Sequence, residues 1–491
     1  MIGPDVCGAD VLGAVQSLVD QSLLTVREVD TGVRFRMLET VREFGRMQLV
    51  EAGEDAAAQA AHRRWATRYA DAALAGLHGP DQVRCMGLLH IEEANLADAL
   101  RRALAEPDPP GVVVLLAALS TYWLISDDHI RVVVLAPAVR DALRDWQPPP
   151  ELADHTRVAL AEAVHNAAVL GQFGLEVVDL REELRRLGPG PAGTVVAANA
   201  TVVLAIDVAD PGGTEARLRE LSDGPDARVA MRAMLWRIHE QENAGNPEAA
   251  IALATRALAL VRDDDGPWSR AMLHAQLAQL HAGLGRHDVA VEHAWLALPV
   301  FEQLGASDDT VHLYAEIAIH ALVHGRFDEA ERIFATIDLG VRQRPGVDVR
   351  TMRTIGRAEL AVARGQVADA LRLYREAVAQ AREVRIPGFP EARGFEPWTL
   401  SVEAMCVVAF AVYGGDREDD AELVAQLRHK ARRFTEPDDA FLDFPILGLM
   451  CFAFGMWCLR RGEPGAEPDA AVRLLALADR FAYSRWVPAL D

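Results

Sequence analysis

The chain has 491 residues, 51% of them hydrophobic, with a net charge of −22 and a pI near 5.1. That length exceeds what a single core needs and predicts several domains or one long repeat array, while the excess of acid repels nucleic acid and anionic lipid on average. Lys430 is the only lysine, and the five cysteines are scattered with no Cys-x-x-Cys pair, which reads as reduced thiols in a cytoplasmic protein.

Taken in order, the first fifty residues differ from the rest. Val11 to Ser22 carries a helical pattern. Leu24–Val29 and Val33–Met37 are β-like runs around a Gly-containing turn, and Glu39–Val50 returns to helix. A helix followed by a hairpin is the order found at the back of a winged-helix domain. Residues 56–105 read as helical, and breaks follow at Pro107, Pro109 and Pro110. Val112 to Ile125 is the most apolar stretch, short of the ~20 residues of a membrane span, and reads as a buried helix. Further helices fit 130–146, 152–170 and 175–187. Gly188-Pro189-Gly190-Pro191 is a linker, and within 193–222 the β-branched run Thr194–Ile206 leaves a strand open, although the neighbours favour helix.

From Ala227 a period of forty residues sets in. Gly245, Gly285, Gly325 and Gly365 each open a similar hexapeptide, and Ala250, Ala290, Ala330 and Ala370 keep the same phase. Phe334 and Tyr374 share a second phase; Ala257, Ala297 and Ala377 share a third. The pattern predicts helical hairpins. Glycine ends the first helix at positive φ, and alanine lets two helices approach. Weaker copies start at Gly415 and Gly465. These units resemble tetratricopeptide repeats, with Gly325-Arg326-Phe327-Asp328-Glu329-Ala330 the best match to that family's inter-helix turn. The period of forty, against ~34 for that family, leaves HEAT-like pairs as an alternative.

The run Leu38-Glu39-Thr40-Val41-Arg42-Glu43-Phe44, after Ser17–Leu24, resembles a junction in the signal-transduction ATPases with numerous domains (STAND) of actinobacterial regulators, as does Ile91–Leu96 with Ala99 and Leu100. The resemblance implies an NTPase module, a winged helix and then helical repeats. A phosphate-binding loop needs a lysine after glycine, and Lys430 follows His429, so the ATPase residues of that family are missing. The chain reads as the downstream arm of such a regulator.

These patterns predict a mostly α fold: a helical-hairpin solenoid with a small N-terminal α+β remnant of a winged helix. The expected divisions are a partial winged-helix-like module at 1–52, a helical linker at 53–150, an irregular helical region at 151–226 and the repeat array at 227–491. No catalytic constellation, cofactor motif or metal set is evident. Glu316, His320 and His324 share a helix face but read as a solvated or packing stripe. If the first helix of each pair lines a concave surface, the phase places Arg232, Leu235, His239 and Glu242 there in one unit. Met272, Gln279, His312, Ile319, Met352 and Glu359 follow in the next three. Of these, Arg232, His239, Glu242, Gln279, His312 and Glu359 are the candidate partner contacts. The expected function is non-enzymatic signal transduction, with a protein, peptide or small effector as partner and no membrane. The alternative is a DNA-binding transcription factor working through Arg34 and Arg36 of the hairpin. Nucleic acid is disfavoured because arginines and acids nearly balance across residues 10–50.

Overall fold

The computed structural model describes residues 8–29, 32–106, 108–169, 174–207, 210–341, 349–384, 394–414, 418–434, 443–461 and 468–490. They form twenty-two α-helices and one two-stranded sheet. At the front, α1 (Gly8–Asp20) leads into β1 (Leu24–Val29) and β2 (Gly32–Met37). The strands pair antiparallel with Val26 opposite Phe35 and Arg27 opposite Arg34, and α2 (Glu39–Glu51) follows. This small module exposes Leu12, Phe35, Phe44 and Met47 and buries no residue of α2. It is tied to the body by Arg34, which donates to the buried carboxylate of Glu92 at 2.5 Å.

Helices α3 (Asp55–Leu77), α4 (Gln82–Ala105), α5 (Pro109–Ile125), α6 (His129–Leu143), α7 (Ala153–Val169), α8 (Leu175–Leu187), α9 (Val195–Ala205) and α10 (Pro211–Ser222) come next. α5 is buried nearly all round, as its unbroken apolar run requires. The ambiguous stretch at 193–222 is two helices. Thr194 caps α9 by accepting from the Ala197 N–H at 3.0 Å, and Asp210 caps α10 by accepting from Gly213 at 2.9 Å. One continuous core runs from Ala66 to Ile317, across positions 150 and 226.

The repeat region pairs α11 (Ala227–Asn243) with α12 (Pro247–Leu258), α13 (Pro267–Gly283) with α14 (His287–Leu304), α15 (Ser307–Val323) with α16 (Phe327–Val341), and α17 (Val349–Ala363) with α18 (Val367–Glu383). All four in-phase glycines take left-handed φ, from 68° to 74°. Each closes the same pair of bonds. The Gly N–H reaches three residues back and the next N–H five back, as in Gly325 to Leu322 at 3.0 Å and Arg326 to Ala321 at 2.8 Å. The in-phase alanines sit where the hairpin closes: Ala250, Ala330 and Ala370 are 0% exposed and Ala290 is 2%. Ala257, Ala297 and Ala377 are sealed too, and Phe334 and Tyr374 fill the space beside them. A Cβ on Gly356 would run into the Phe334 ring, which shows how closely α17 lies on α16.

Two more hairpins follow, α19 (Pro397–Tyr413) with α20 (Glu418–Phe434) and α21 (Phe444–Arg461) with α22 (Pro468–Arg480). The weaker repeat starts at Gly415 and Gly465 lie outside the described residues. α21 is the one helix among the described residues long and apolar enough to cross a membrane, yet it packs along α19 and α22 with Ile446–Met450 buried. This last hairpin also meets the first forty-residue unit. A Cβ on Gly245 would lie 3.2 Å from the Phe481 carbonyl and 3.4 Å from Phe444. The coil therefore returns on itself.

Two substitutions separate the turn from the packing. A Cβ on Gly325 meets nothing within 4 Å, so Gly325→Ala should cost only its left-handed backbone, about 1 kcal/mol. Ala330→Leu should cost about 1–3 kcal/mol or more by overpacking. Denaturant titration followed by circular dichroism checks both; equal costs would mean that the alanine phase does not set the helix approach.

Candidate functional site

The inner faces of the first helices enclose a cavity of about 630 Å³. Its wall is drawn from α11, α13, α15, α17 and α19, from the α5–α6 junction and α7 on one side, and from Ser484 and Trp486 on the other. Those last two belong to a tail that crosses the coil. The Arg485 N–H donates to the Gly283 carbonyl at 2.9 Å, and Val487 and Leu490 are fully buried.

Of the six candidate contacts, His239, Gln279 and His312 line this cavity, as do Leu235, Met272 and Met352. Glu242 stands behind them and accepts from Gln279 at 3.4 Å. The other expectations need correction. Arg232 lies off the cavity wall; its Nε is buried with no partner, and burial lowers its pKa. Ile319 is 0% exposed and belongs to the hydrophobic core. Glu359 is sealed because the tail folds over it. Its carboxylate accepts from the Tyr374 hydroxyl and from the Ala489 N–H at 3.2 Å. Glu316, set aside in the sequence as part of a stripe, faces the cavity, while its presumed companions turn elsewhere. His320 and His324 meet Asp288 of α14 at 2.9 and 3.3 Å. Arg326 donates to His320 Nδ1 at 2.9 Å, so His320 Nε2 carries the proton and donates to Asp288. The three side chains of Asp288, His320 and His324 form a hydrogen-bonded cluster whose donor atoms lie within 4.8 Å of one another.

The electrostatics of the wall are acidic and aromatic. None of its residues is an arginine or lysine; Asp127, Asp309 and Glu316 are there, with Trp236, Trp268, Trp398 and Trp486. Asp127 has a built-in counter-charge. His129 Nε2 meets it at 3.0 Å while Nδ1 meets the Asn166 side-chain oxygen at 2.7 Å. Burial disfavours the imidazolium, but these acceptors outweigh it and raise the pKa. Asp309 and Glu316 have no arginine or lysine partner among the described residues. Burial, with the Asp127 charge added for Asp309, pushes them up to about 7 and about 8. Glu316 Oε2 is buried without a hydrogen bond. His165, stacked edge-on against Trp236 at 5.1 Å, is held down to about 3 by burial and the nearby His129 and Arg232. His239 accepts from Gln276 Nε2 at 2.8 Å and stays neutral, its pKa lowered by burial. Its accessible surface faces the cavity, so it is open to water yet walled by protein.

Sequence phase missed Gln276, Asp309, Glu316 and the four tryptophans. The signal for two of them was present. Gln276 lies four after Met272, and Glu316 four after His312, on the same helix face; stepping by seven skips that position.

No family model matches the sequence, and no curated protein matches it. Among solved structures, a Rap protein complexed with Competence and Sporulation Factor aligns with a TM-score of 0.49 at 11% identity, covering 75% of this chain and 87% of that one. The P58(IPK) TPR domain aligns with a TM-score of 0.22 at 14% identity, covering 77% and 98%.

Two outcomes follow from this wall. Folded Glu316 keeps a proton that the unfolded chain releases above 4.5, so its contribution weakens as pH climbs from there toward 8. Glu316→Gln should therefore melt higher than the parent at pH 8 and alike at pH 4; a lower melting point at pH 8 would show the carboxylate is stabilised as an anion. Truncation after Tyr483 should open the cavity and strip a partner from Glu359. Binding of a fluorescent apolar dye and a drop in melting temperature of several degrees report it.

Proposed function

We propose that this is a regulatory protein whose helical array receives an effector in the central cavity and passes the event to the N-terminal module. The observation that carries the reading is a half-open chamber built from the first helices of five successive hairpins, with buried polar atoms of Gln276 and Glu316 left without partners. A wall designed only for packing would satisfy or omit such groups. The array is connected to the front of the chain by contacts that can be named. Arg34 of the hairpin holds Glu92 on α4, and the Gln82 side-chain oxygen at the start of α4 accepts from the Trp268 backbone N–H at 2.8 Å, at the cavity wall. An effector that prefers one arrangement of Trp268 would bias α4 and, through it, the hairpin.

In this reading residues 1–52 are the responding element, 53–226 the connector and 227–491 the receiver. We infer, from the sequence junction at Leu38–Phe44, that the receiver is the arm of a STAND-type transcriptional regulator acting in the cytoplasm. The partner is a protein, a peptide or a small effector. A DNA-binding role would have to use Arg27 and Arg36 on the exposed hairpin, because Arg34 is already engaged. A gel shift at low salt tests that alternative.

Calorimetry of the full chain against fractionated cell extract, peptides and metabolites should find a saturable partner, and Met272→Trp, which fills the cavity, should abolish it. Hydrogen exchange of residues 24–37 should change when the partner binds. A partner that binds Met272→Trp unchanged, or none at all, would sink the proposal.

A further inference from the structure

The cavity wall has a chemical sign. Fifty residues of the chain are lysine or arginine, yet none of those among the described residues lines the chamber. Asp127 is paired with His129, which leaves Asp309 and Glu316 as carboxyls on one face of α15 with no arginine or lysine partner among the described residues. His312 sits between them, and its Nδ1 is spent on the Asp308 carbonyl at 2.9 Å. An enclosed carboxyl without a partner is costly, and an arriving positive charge relieves that cost.

The aromatic lining points the same way. Trp268 and Trp398 have their indole N–H edges buried in the wall, without partners, so the surface they offer the chamber is ring carbon. Trp236 and Trp486 add two more rings, and Met272, Met352 and Met405 add adaptable thioethers. Tryptophan surface around a desolvated carboxylate is the environment in which an ammonium group is held best. An anion would meet these carboxylates and, among the described residues of the wall, neither arginine nor lysine.

We propose that the cavity binds an organic cation, a protonated or quaternary amine, with its charge toward Asp309 and Glu316 and its carbon body against Trp236, Trp268 and Trp398. The proposal rests on the effector-binding reading and names the chemistry of the effector. A volume of about 630 Å³ accommodates either a free amine or a basic side chain with a few flanking peptide units.

The test titrates the full chain with four cations: choline, hexyltrimethylammonium, hexylamine and the tripeptide Ala-Lys-Ala. Three controls accompany them: 3,3-dimethylbutanol, the uncharged carbon isostere of choline; 3,3-dimethylbutyrate; and Ala-Met-Ala. At least one cation should bind saturably, about tenfold or more tighter than its neutral counterpart, with the anion not binding. Trp398→Leu and Asp309→Asn should each weaken that cation about tenfold while leaving 3,3-dimethylbutanol unchanged. Asp309→Asn should also keep or raise the melting temperature, so that weaker binding is not misfolding. Preference for Ala-Lys-Ala over the free amines would support the proposal and assign the source as a peptide; the reverse would support it and assign a small molecule. Equal binding of charged and neutral members, tighter binding of the anion, or no saturable cation overturns it. If an extract or library partner that is neutral or anionic is found and is lost in Met272→Trp, the cation is wrong while the effector-binding reading stands.

Discussion

The whole architecture depends on how near two helices can lie where each hairpin closes. A left-handed glycine stops the first helix within one residue, and its two backbone bonds fix the angle at which the chain leaves. The alanine five residues on then lets the second helix settle with no side chain between the backbones. Because this arrangement recurs every forty residues, each hairpin is set on its predecessor in nearly the same way. The result is a coil, and a coil has an inside. The cavity is thus a product of the repeat, and its chemistry is free to be chosen by the residues that the repeat does not constrain.

That division explains what could be read from the chain and what could not. The hairpins from Ala227 onward, the left-handed glycines and the buried alanines were legible, because they are local and periodic. So was the helix–hairpin–helix at the front, where alternation and a Gly-containing turn state the register. Three of the six candidate contacts, His239, Gln279 and His312, line the cavity, because one helical face repeats with the period. Arg232 and Glu359, and Ile319 of the same phase, lie off it, since their surroundings come from parts of the chain far away in sequence. The Ala489 N–H that covers Glu359 lies 130 residues further on. The apolar side of the wall, Trp398 and Trp486 above all, is assembled only when the coil closes, and no spacing announces it.

The polar groups of the interior are arranged by pairing in one place and by isolation in another. Asp127 with His129, and Arg382 with Glu403 on α19 at 2.6 Å, show that the fold can supply counter-charges to buried acids. Asp309 and Glu316 receive no arginine or lysine among the described residues. Neighbouring carboxyls of one interior are thus set in different surroundings, some beside a cation of the fold and some without an arginine or lysine.

The contact of Gly245 with Phe444 and Phe481 bears on how the molecule comes apart. In an open row of stacked units, stability adds up from neighbour to neighbour and the ends fray independently. Here the final hairpin leans on the first forty-residue unit, so loosening either one exposes both, and intermediate lengths of ordered stack gain little. The array has traded the gradual melting of a linear polymer for the shared fate of a closed ring.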